Sequence, residues 1–100
     1  MTRISPHVID VYTTSTVVED LSPVAVTDVE TIATFSSQRK SCLIYNDGPD
    51  DVHFLLLTGV TTNNFMIPTL CALSIVFPVT NLYFICAAGE TATLYIMGER

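Results

Sequence analysis

Apolar and polar residues alternate along this chain in short runs rather than in helical periods. The runs are rich in Val, Ile, Thr, Tyr and Phe, residue types that favour strands, and turn signals close each run. Strands are predicted at 31–35, 42–46, 52–57, 65–67, 71–77, 82–87 and 91–97. Turns recurring every 8 to 12 residues or so are typical of an antiparallel β-sandwich, so we predict an all-β sandwich, jelly-roll-like in its topology.

Turn chemistry within this pattern predicts two hairpins. The sequence "DGPD" (47–50) lies between two apolar runs, and so does "AGE" (88–90). Asp-Gly and Gly-Pro steps adopt the special backbone dihedrals of tight turns. We therefore expect the run 42–46 to pair with 52–57, and the run 82–87 to pair with 91–97.

The first 30 residues differ in texture from the rest of the chain. They are rich in Ser, Thr, Val, Asp and Pro and contain only short apolar pairs. We interpret residues 1–30 as an extended N-terminal arm that lends one or two edge strands, and residues 31–100 as the β-sandwich domain. The first ten residues lack the apolar core of a signal peptide, which predicts synthesis in the cytosol.

The predicted strands are apolar on both faces, although the core of a small sandwich needs only one face of each strand. Several large side chains left in water would form a larger apolar patch than a soluble monomer normally exposes. We therefore predict a homo-oligomer whose interface includes Leu55, Leu57, Leu82, Phe84, Tyr95 and Met97. In an alternative that can operate together with this one, the N-terminal arm folds back over its own sheet.

Composition and charge exclude some partners. The chain is 49% apolar and 14% charged, with a formal net charge of −6 from ten acidic and four basic residues. A phosphate backbone would be repelled, so nucleic acid is not an expected partner. No charged residue lies between Val52 and Gly89, but Pro68, Pro78 and several Asn residues interrupt that stretch. Its unbroken apolar pieces are shorter than the 20 or so residues of a membrane span, so no membrane partner is expected.

Candidate catalytic and metal-binding residues are few. Cys42, Cys71 and Cys86 lack the spacing of a zinc site and are interpreted as small buried hydrophobic residues. The acidic run "NDGPDD" (46–51) offers oxygen ligands for calcium, but its spacing is that of a hairpin turn and not of an EF-hand. His53 has no recognisable orienting partner for nucleophilic catalysis. We predict no catalytic residue, no metal, no cofactor and no small-molecule substrate.

Three stretches give the chain a family resemblance. They are "SSQRKSCLIYNDGPDDVHFLL", "GVTTNNFMIP" and "LYFICAAGETATLYIM", and the likeness spans about residues 31 to 97. In order and spacing they resemble a group of small tailed-bacteriophage virion proteins. The resemblance implies a β-sandwich or jelly-roll-like module that decorates capsids or lies on tails and is not an enzyme. Where that group has a polar turn, this chain has Leu70, which argues against a tight turn and predicts that the loop is buried against a neighbour.

The function predicted from these observations is that of a capsid decoration or cement protein. It would bind the major capsid protein on the outside of the virion and assemble as a homo-oligomer, with a trimer preferred. Arg39 and Lys40 are the one adjacent basic pair and are predicted to dock on an acidic capsid surface. The alternative is a receptor- or glycan-binding module of a tail fibre or head fibre. That function would use Asn63 and Asn64, since the chain has no Trp.

Overall fold

The computed structural model describes residues 18–99, and within this range the chain contains strands and turns but no helix. The strands are β1 (Val18–Asp20), β2 (Val24–Val26), β3 (Thr31–Arg39), β4 (Ser41–Pro49), β5 (Val52–Leu55), β6 (Phe65–Ile67), β7 (Ala72–Ile75), β8 (Val79–Ile85) and β9 (Ala92–Glu99). Of the predicted arm, residues 1–17 lie outside the described residues. Its last part supplies β1 and β2.

The strands form two antiparallel sheets. The first sheet has the order β1-β9-β4-β7, with β2 also paired to β9, and the second has the order β3-β8-β5-β6. The pairs are nested along the chain: β1 and β2 pair with β9, β3 with β8, β4 with β7, and β5 with β6. Each strand of the first half therefore lies beside a strand at a similar distance from the other end of the chain.

The two predicted hairpins are not formed. β4 pairs with β9 and β7 in the first sheet, whereas β5 pairs with β8 and β6 in the second. β8 and β9 likewise belong to different sheets. A tight turn fixes where the chain reverses, but the chain can then cross to the facing sheet instead of pairing with the strand it has just left.

The inward faces of the two sheets share one hydrophobic core, which makes the arrangement sandwich-like. The first sheet supplies Val26, Cys42, Ile44, Ile75, Ala92, Leu94 and Ile96, and the second supplies Ala33, Phe35, Val52, Phe54, Ile67, Val79, Leu82 and Phe84. On β4, β5 and β9 these residues are the sets that alternation assigned to one face. The all-β class and the antiparallel pairing are thus confirmed.

On β8 the prediction chose the wrong face. Leu82 and Phe84 are both completely buried in the core, so neither can contact a partner chain, and their assignment to the oligomer interface is wrong. Phe84 lies opposite Phe54 in the sheet, and the two rings are 6.4 Å apart. The outward residues of β8 are instead Tyr83 and Ile85, which are half-buried.

Candidate functional site

The outer side of the second sheet presents mainly apolar residues, with three neutral polar residues among them and no charged residue. We call it the uncharged face and define it by Ile32, Thr34, His53, Leu55, Met66, Asn81, Tyr83 and Ile85. Strand register places these residues in rows, because residues opposite one another share a face. Ile32 lies beside Tyr83, which lies beside Leu55, and in the next row Ile85 lies beside His53.

The side chains of the uncharged face are more exposed at the two edges of the sheet than at its centre. Ile32 at one edge is 54% exposed and Met66 at the other is 43% exposed, while Leu55, Tyr83 and Ile85 between them are half-buried. His53 is held by its ring Nδ1, which lies 3.0 Å from the Asn64 carbonyl oxygen. A surface of this composition can bury area against another protein, but it offers no acid–base pair for catalysis.

The outer side of the first sheet forms a second, smaller apolar surface. Leu43 lies beside Met97 and Tyr45 beside Tyr95, and we call these four residues the tyrosine face. The Asp20 carboxylate borders this surface, since Asp20 lies opposite Met97 at the β1 edge. The two sheets pack through their inner sides, so the tyrosine face and the uncharged face point in opposite directions.

The predicted interface residues are therefore divided between surfaces. Tyr95 and Met97 lie on the tyrosine face and Leu55 lies on the uncharged face. Leu57 follows β5 and is 72% exposed, and Leu70 lies in the turn between β6 and β7. No single flat partner can contact all of them. The sequence prediction missed Ile32, Met66, Tyr83 and Ile85; alternation along β3 could have identified Ile32, whereas β8 is apolar on both sides and gives no such signal.

Arg39 is not available for docking. Arg39 is the last residue of β3 and is only 4% exposed. Its guanidinium pairs with the Glu19 carboxylate of β1 and donates to the Ser36 hydroxyl at 3.1 Å. Its guanidinium also lies 5.9 Å from the centre of the Phe35 ring. The predicted exposed basic pair is wrong in this respect. Lys40 alone is exposed, with its Nζ 3.8 Å from the Glu99 carboxylate.

The Glu19 carboxylate joins the first sheet to the second. Its Oε1 accepts hydrogen bonds from the Ser36 N–H at 2.9 Å and from the Ser36 hydroxyl at 3.0 Å, in addition to the Arg39 contact. The Ser36 N–H bond, followed by the Arg39 hydrogen bond, lowers the pKa of Glu19 below its ordinary value. This charged contact therefore has a structural role in fastening β1 to β3.

The acidic turn after β4 is organised around a buried amide. Asn46 is completely buried, and its Nδ2 donates to the Asp50 and Ile67 carbonyl oxygens at 2.9 and 3.0 Å. Its Oδ1 accepts the Gly48 N–H at 2.8 Å. The Asp51 carboxylate accepts the Thr69 N–H at 2.9 Å. Within residues 18–99, no group of three or more His, Cys, Asp or Glu side chains is placed to hold a metal ion.

Leu70 adopts a backbone conformation that leucine rarely visits. Its φ is +62°, and the Cys71 N–H donates to the Pro68 carbonyl oxygen at 3.2 Å to close a tight turn. The tight turn that leucine at this position put in doubt is therefore formed. The left-handed conformation costs a side-chain-bearing residue about 1 to 2 kcal/mol. Leu70 is also 57% exposed, so its side chain gains little from burial within its own chain.

The three cysteines have different environments. Cys42 and Cys86 are buried, as predicted, and burial raises the pKa of each thiol to about 11, which keeps both protonated near neutral pH. Cys71 is exposed, contrary to the prediction, because it begins the segment that leads into the edge strand β7. It follows that Cys71 is the thiol available to reagents.

The loop that would serve glycan recognition has partly committed side chains. Asn64 Oδ1 accepts the Thr61 N–H at 2.6 Å, so that oxygen holds the loop together. Asn63 is exposed, and its N–H donates to the Thr61 hydroxyl at 3.2 Å. Of the two predicted contact residues, Asn63 is therefore the one directed to solvent.

Comparison with known proteins does not place the chain in a family. No family model, curated protein or solved structure gives a significant match. Residues 18–99 contain no helix that is long and apolar enough to span a bilayer.

Proposed function

We propose that this chain is a non-enzymatic structural protein of a phage virion that assembles as a homo-oligomer through the uncharged face and decorates the capsid surface. The assembly part of the proposal rests on the outer side of the second sheet, where the eight residues that define the uncharged face are all apolar or neutral. Burying one large apolar side chain contributes about 1.5 to 3 kcal/mol. Closing this surface against another copy therefore stabilises an oligomer.

Strand connectivity supports the jelly-roll part of the proposal. When β1 and β2 are counted as one interrupted strand, the chain has eight strands in two sheets of four. The first of these pairs with the eighth, the second with the seventh, the third with the sixth and the fourth with the fifth. Jelly rolls have this rolled-up arrangement, and they are common in viral capsid proteins.

The phage part of the proposal rests on the family resemblance. It implies a module that decorates capsids or lies on tails; we further propose the major capsid protein as the partner, the capsid surface of the virion as the location and a trimer as the preferred assembly. Lys40 is the exposed cation at the β3–β4 turn and is our candidate for contact with an acidic shell surface. Many copies on one shell act together, so each single contact can be weak.

A matched pair of tyrosine variants tests the assembly. Tyr83→Asp places a carboxylate on the uncharged face, and Tyr95→Asp does the same on the tyrosine face. We expect the first variant to lose the association made through the uncharged face, measured as a lower mass by light scattering, while it keeps its β-sheet circular dichroism, and the second to keep the mass of the wild type. Dissociation of the Tyr95 variant alone would transfer the interface to the tyrosine face. A monomeric wild-type chain at high concentration would end the proposal.

Capsid binding is tested separately. Purified chain is mixed with expanded phage shells that lack decoration protein, and co-sedimentation is measured for wild type and for Lys40→Glu. We expect the variant to bind several-fold more weakly with unchanged thermal stability. Equal binding would remove Lys40 from the contact, and no binding by either chain would remove the shell as partner.

The second candidate function is glycan or receptor binding on a fibre. The solvent-directed Asn63 in the 59–64 loop favours it over other non-structural functions. A glycan array with the wild-type chain separates the two functions, since a decoration protein is silent on it.

A further inference from the structure

β7 is a short edge strand, Ala72–Ile75, that carries no charged residue and no proline. It lies at one end of the first sheet and pairs with β4, and no other described strand covers its outer edge. Exposed edges normally carry charged residues, proline or bulges, which prevent pairing with other chains. Between Thr69 and Phe77 this chain has neither a charged residue nor a proline. The opposite edge of the same sheet, by contrast, carries Glu19 and Asp20 in β1.

Large apolar side chains are exposed at both ends of this edge. Leu70 precedes β7 and is 57% exposed, and Val76 and Phe77 follow it at 81% and 48% exposed. Leu70 also holds its strained left-handed backbone here, at a position where glycine would relieve the strain and expose nothing apolar. Within the described chain, these side chains do not join the core.

The outward backbone groups of β7 can be identified from the ladder. Asn46 exchanges hydrogen bonds with the Leu70 N–H and the Cys71 carbonyl oxygen at the start of the β4–β7 pair. In an antiparallel ladder the backbone groups of every second residue bond to the same neighbouring strand. The N–H and C=O groups of Leu73 and Ile75, which lie opposite Ile44 and Cys42, are therefore directed to β4. The N–H and C=O groups of Ala72 and Ser74 are therefore directed away from the sheet and can bond to an added strand.

We propose that β7 pairs antiparallel with β7 of a second copy around a twofold axis at Ser74. In this register Ser74 lies opposite Ser74 and exchanges both of its outward hydrogen bonds, and Ala72 lies opposite Val76. The pairing joins the two first sheets into one continuous sheet. It is isologous, so each copy contributes the same surface and both edges are closed at once.

A second copy fits this edge better than an unrelated partner. Antiparallel self-pairing brings the leading end of one β7 to the trailing end of the other, so Leu70 and Cys71 of each copy meet Phe77 of its neighbour. Charge favours the same site, because copies with a net charge of −6 repel one another except where their surfaces are neutral. The β7 edge meets this condition over its whole length.

This contact goes beyond the proposed function and does not depend on it. β7 belongs to the first sheet, whereas the uncharged face belongs to the second. An assembly held by the uncharged face could therefore bind to another such assembly through β7.

Substitution at the axis tests the proposal. Ser74→Lys places two like charges opposite each other across the twofold axis, and Ser74→Thr keeps a neutral strand-forming residue as the matched control. We expect sedimentation equilibrium to show at least tenfold weaker self-association for the lysine variant in one of its steps and no change for the threonine variant. Circular dichroism and thermal melting verify that both variants fold. Unchanged association of a folded lysine variant would overturn the proposal.

Cross-linking gives an independent readout with a folded-state control. In a Cys71→Ala background, Ser74→Cys places a reactive thiol at the axis, and Thr93→Cys places one on an outward position of β9, away from it. A short bismaleimide should link the Ser74→Cys chain into dimers and leave the Thr93→Cys chain monomeric on a denaturing gel. Equal yields of dimer would show random collision and would also overturn the proposal. Either outcome leaves the Tyr83→Asp test of the uncharged face unaffected.

Discussion

Gly98 in β9 lies directly against the Phe35 and Arg39 side chains of β3. A Cβ atom added to it would lie 2.6 and 2.7 Å from two atoms of the Phe35 ring and 2.9 Å from Arg39 Cγ. Its backbone is not left-handed, so the reason for glycine here is space and not dihedral freedom. The strand pattern of β9 gives no sign of this, because the obstructing atoms belong to Phe35 and Arg39, which are far from Gly98 in the sequence.

We expect Gly98→Ala to lower the free energy of unfolding by about 1 to 3 kcal/mol, because the ring and the arginine stem must move to admit a methyl group. Chemical denaturation measures the change. Thr93→Ala, at an outward position of the same strand, is the control and should cost less than 1 kcal/mol or so. Equal effects of the two substitutions would show that Gly98 has room to spare.

Replacing the Asn46 amide nitrogen, Nδ2, with an oxygen is expected to destabilise the fold. Asn46→Asp keeps the shape but replaces the Nδ2 donor with an oxygen that faces the Asp50 and Ile67 carbonyl oxygens. Each unsatisfied buried group costs about 1 to 3 kcal/mol, so a total loss of at least 3 kcal/mol or so is expected in denaturant titration. Asn64→Asp is the control, since its Oδ1 already accepts the Thr61 N–H and the substitution keeps that acceptor. A mild effect at Asn46 would contradict the contacts assigned to its amide.

Substitution of Leu70 is expected to change stability and self-association in different ways. Leu70→Gly removes the left-handed strain of about 1 to 2 kcal/mol, partly offset by the larger unfolded-state entropy of glycine, so thermal stability should not fall. The same substitution should weaken self-association, because it removes an exposed side chain beside β7. Scanning calorimetry and sedimentation together test this pair of outcomes, and a lower melting temperature would contradict it.

Among the strands, β8 shows how far alternation can predict orientation. β9 has Thr91 and Thr93 on one side and Ala92, Leu94 and Ile96 on the other, so its inward face could be predicted and is confirmed. β8 has apolar residues on both sides, and sequence spacing offers no basis for choosing between them. The pairing of Phe54 with Phe84 decides the orientation, and that contact depends on β5 and β8 being neighbours.

Adjacent residues of β8 should therefore differ sharply in their tolerance to change. Phe84→Ala should cost about 3 to 5 kcal/mol, the range for a large aromatic side chain removed from a core. Tyr83→Ala, one residue away on the outward side, should cost much less in folding stability and act mainly on assembly. Denaturation at protein concentrations low enough to populate monomer measures both. Comparable losses would contradict the assigned faces.

The contacts of the Glu19 carboxylate with Ser36 and Arg39 are expected to make the stability of the fold depend on pH. The pKa of Glu19 is lowered in the folded chain, so its contribution to stability is fully present above the ordinary value of 4.5 and is lost as pH falls through the folded pKa. We expect Glu19→Gln to melt below wild type at neutral pH, with the difference shrinking as pH drops below 4.5. Thermal melts at several pH values test this. A difference that stayed constant down to strongly acidic pH would show that the carboxylate charge is not responsible.

For the whole molecule, charge and surface chemistry act in opposite directions. The net charge of −6 keeps copies apart, while the uncharged face and the β7 edge favour contact. The sequence could predict that surplus apolar surface exists, because composition and alternation are local properties. It could not divide that surface into separate sites, because the division depends on which strands share a sheet.

We expect self-association to strengthen as salt rises from about 20 mM to about 150 mM, because screening weakens the repulsion between copies while apolar contacts are retained. Sedimentation velocity over a concentration series measures the dissociation constants. Weaker association at higher salt would indicate that ion pairs hold the oligomer together, which neither candidate surface can supply.

The nested order of the strands also bears on how the chain is made. β1, β2 and β4 all pair with β9, the last described strand to leave the ribosome. Until residues 92–99 emerge, the first sheet lacks the strand that joins β1 and β2 to β4, and β1 and β2 have no partner strand. Native structure thus depends on contacts between distant parts of the chain, which form slowly. A nascent chain stalled before β9 should accordingly be open to protease and to chaperones, and it should become resistant only in one late step.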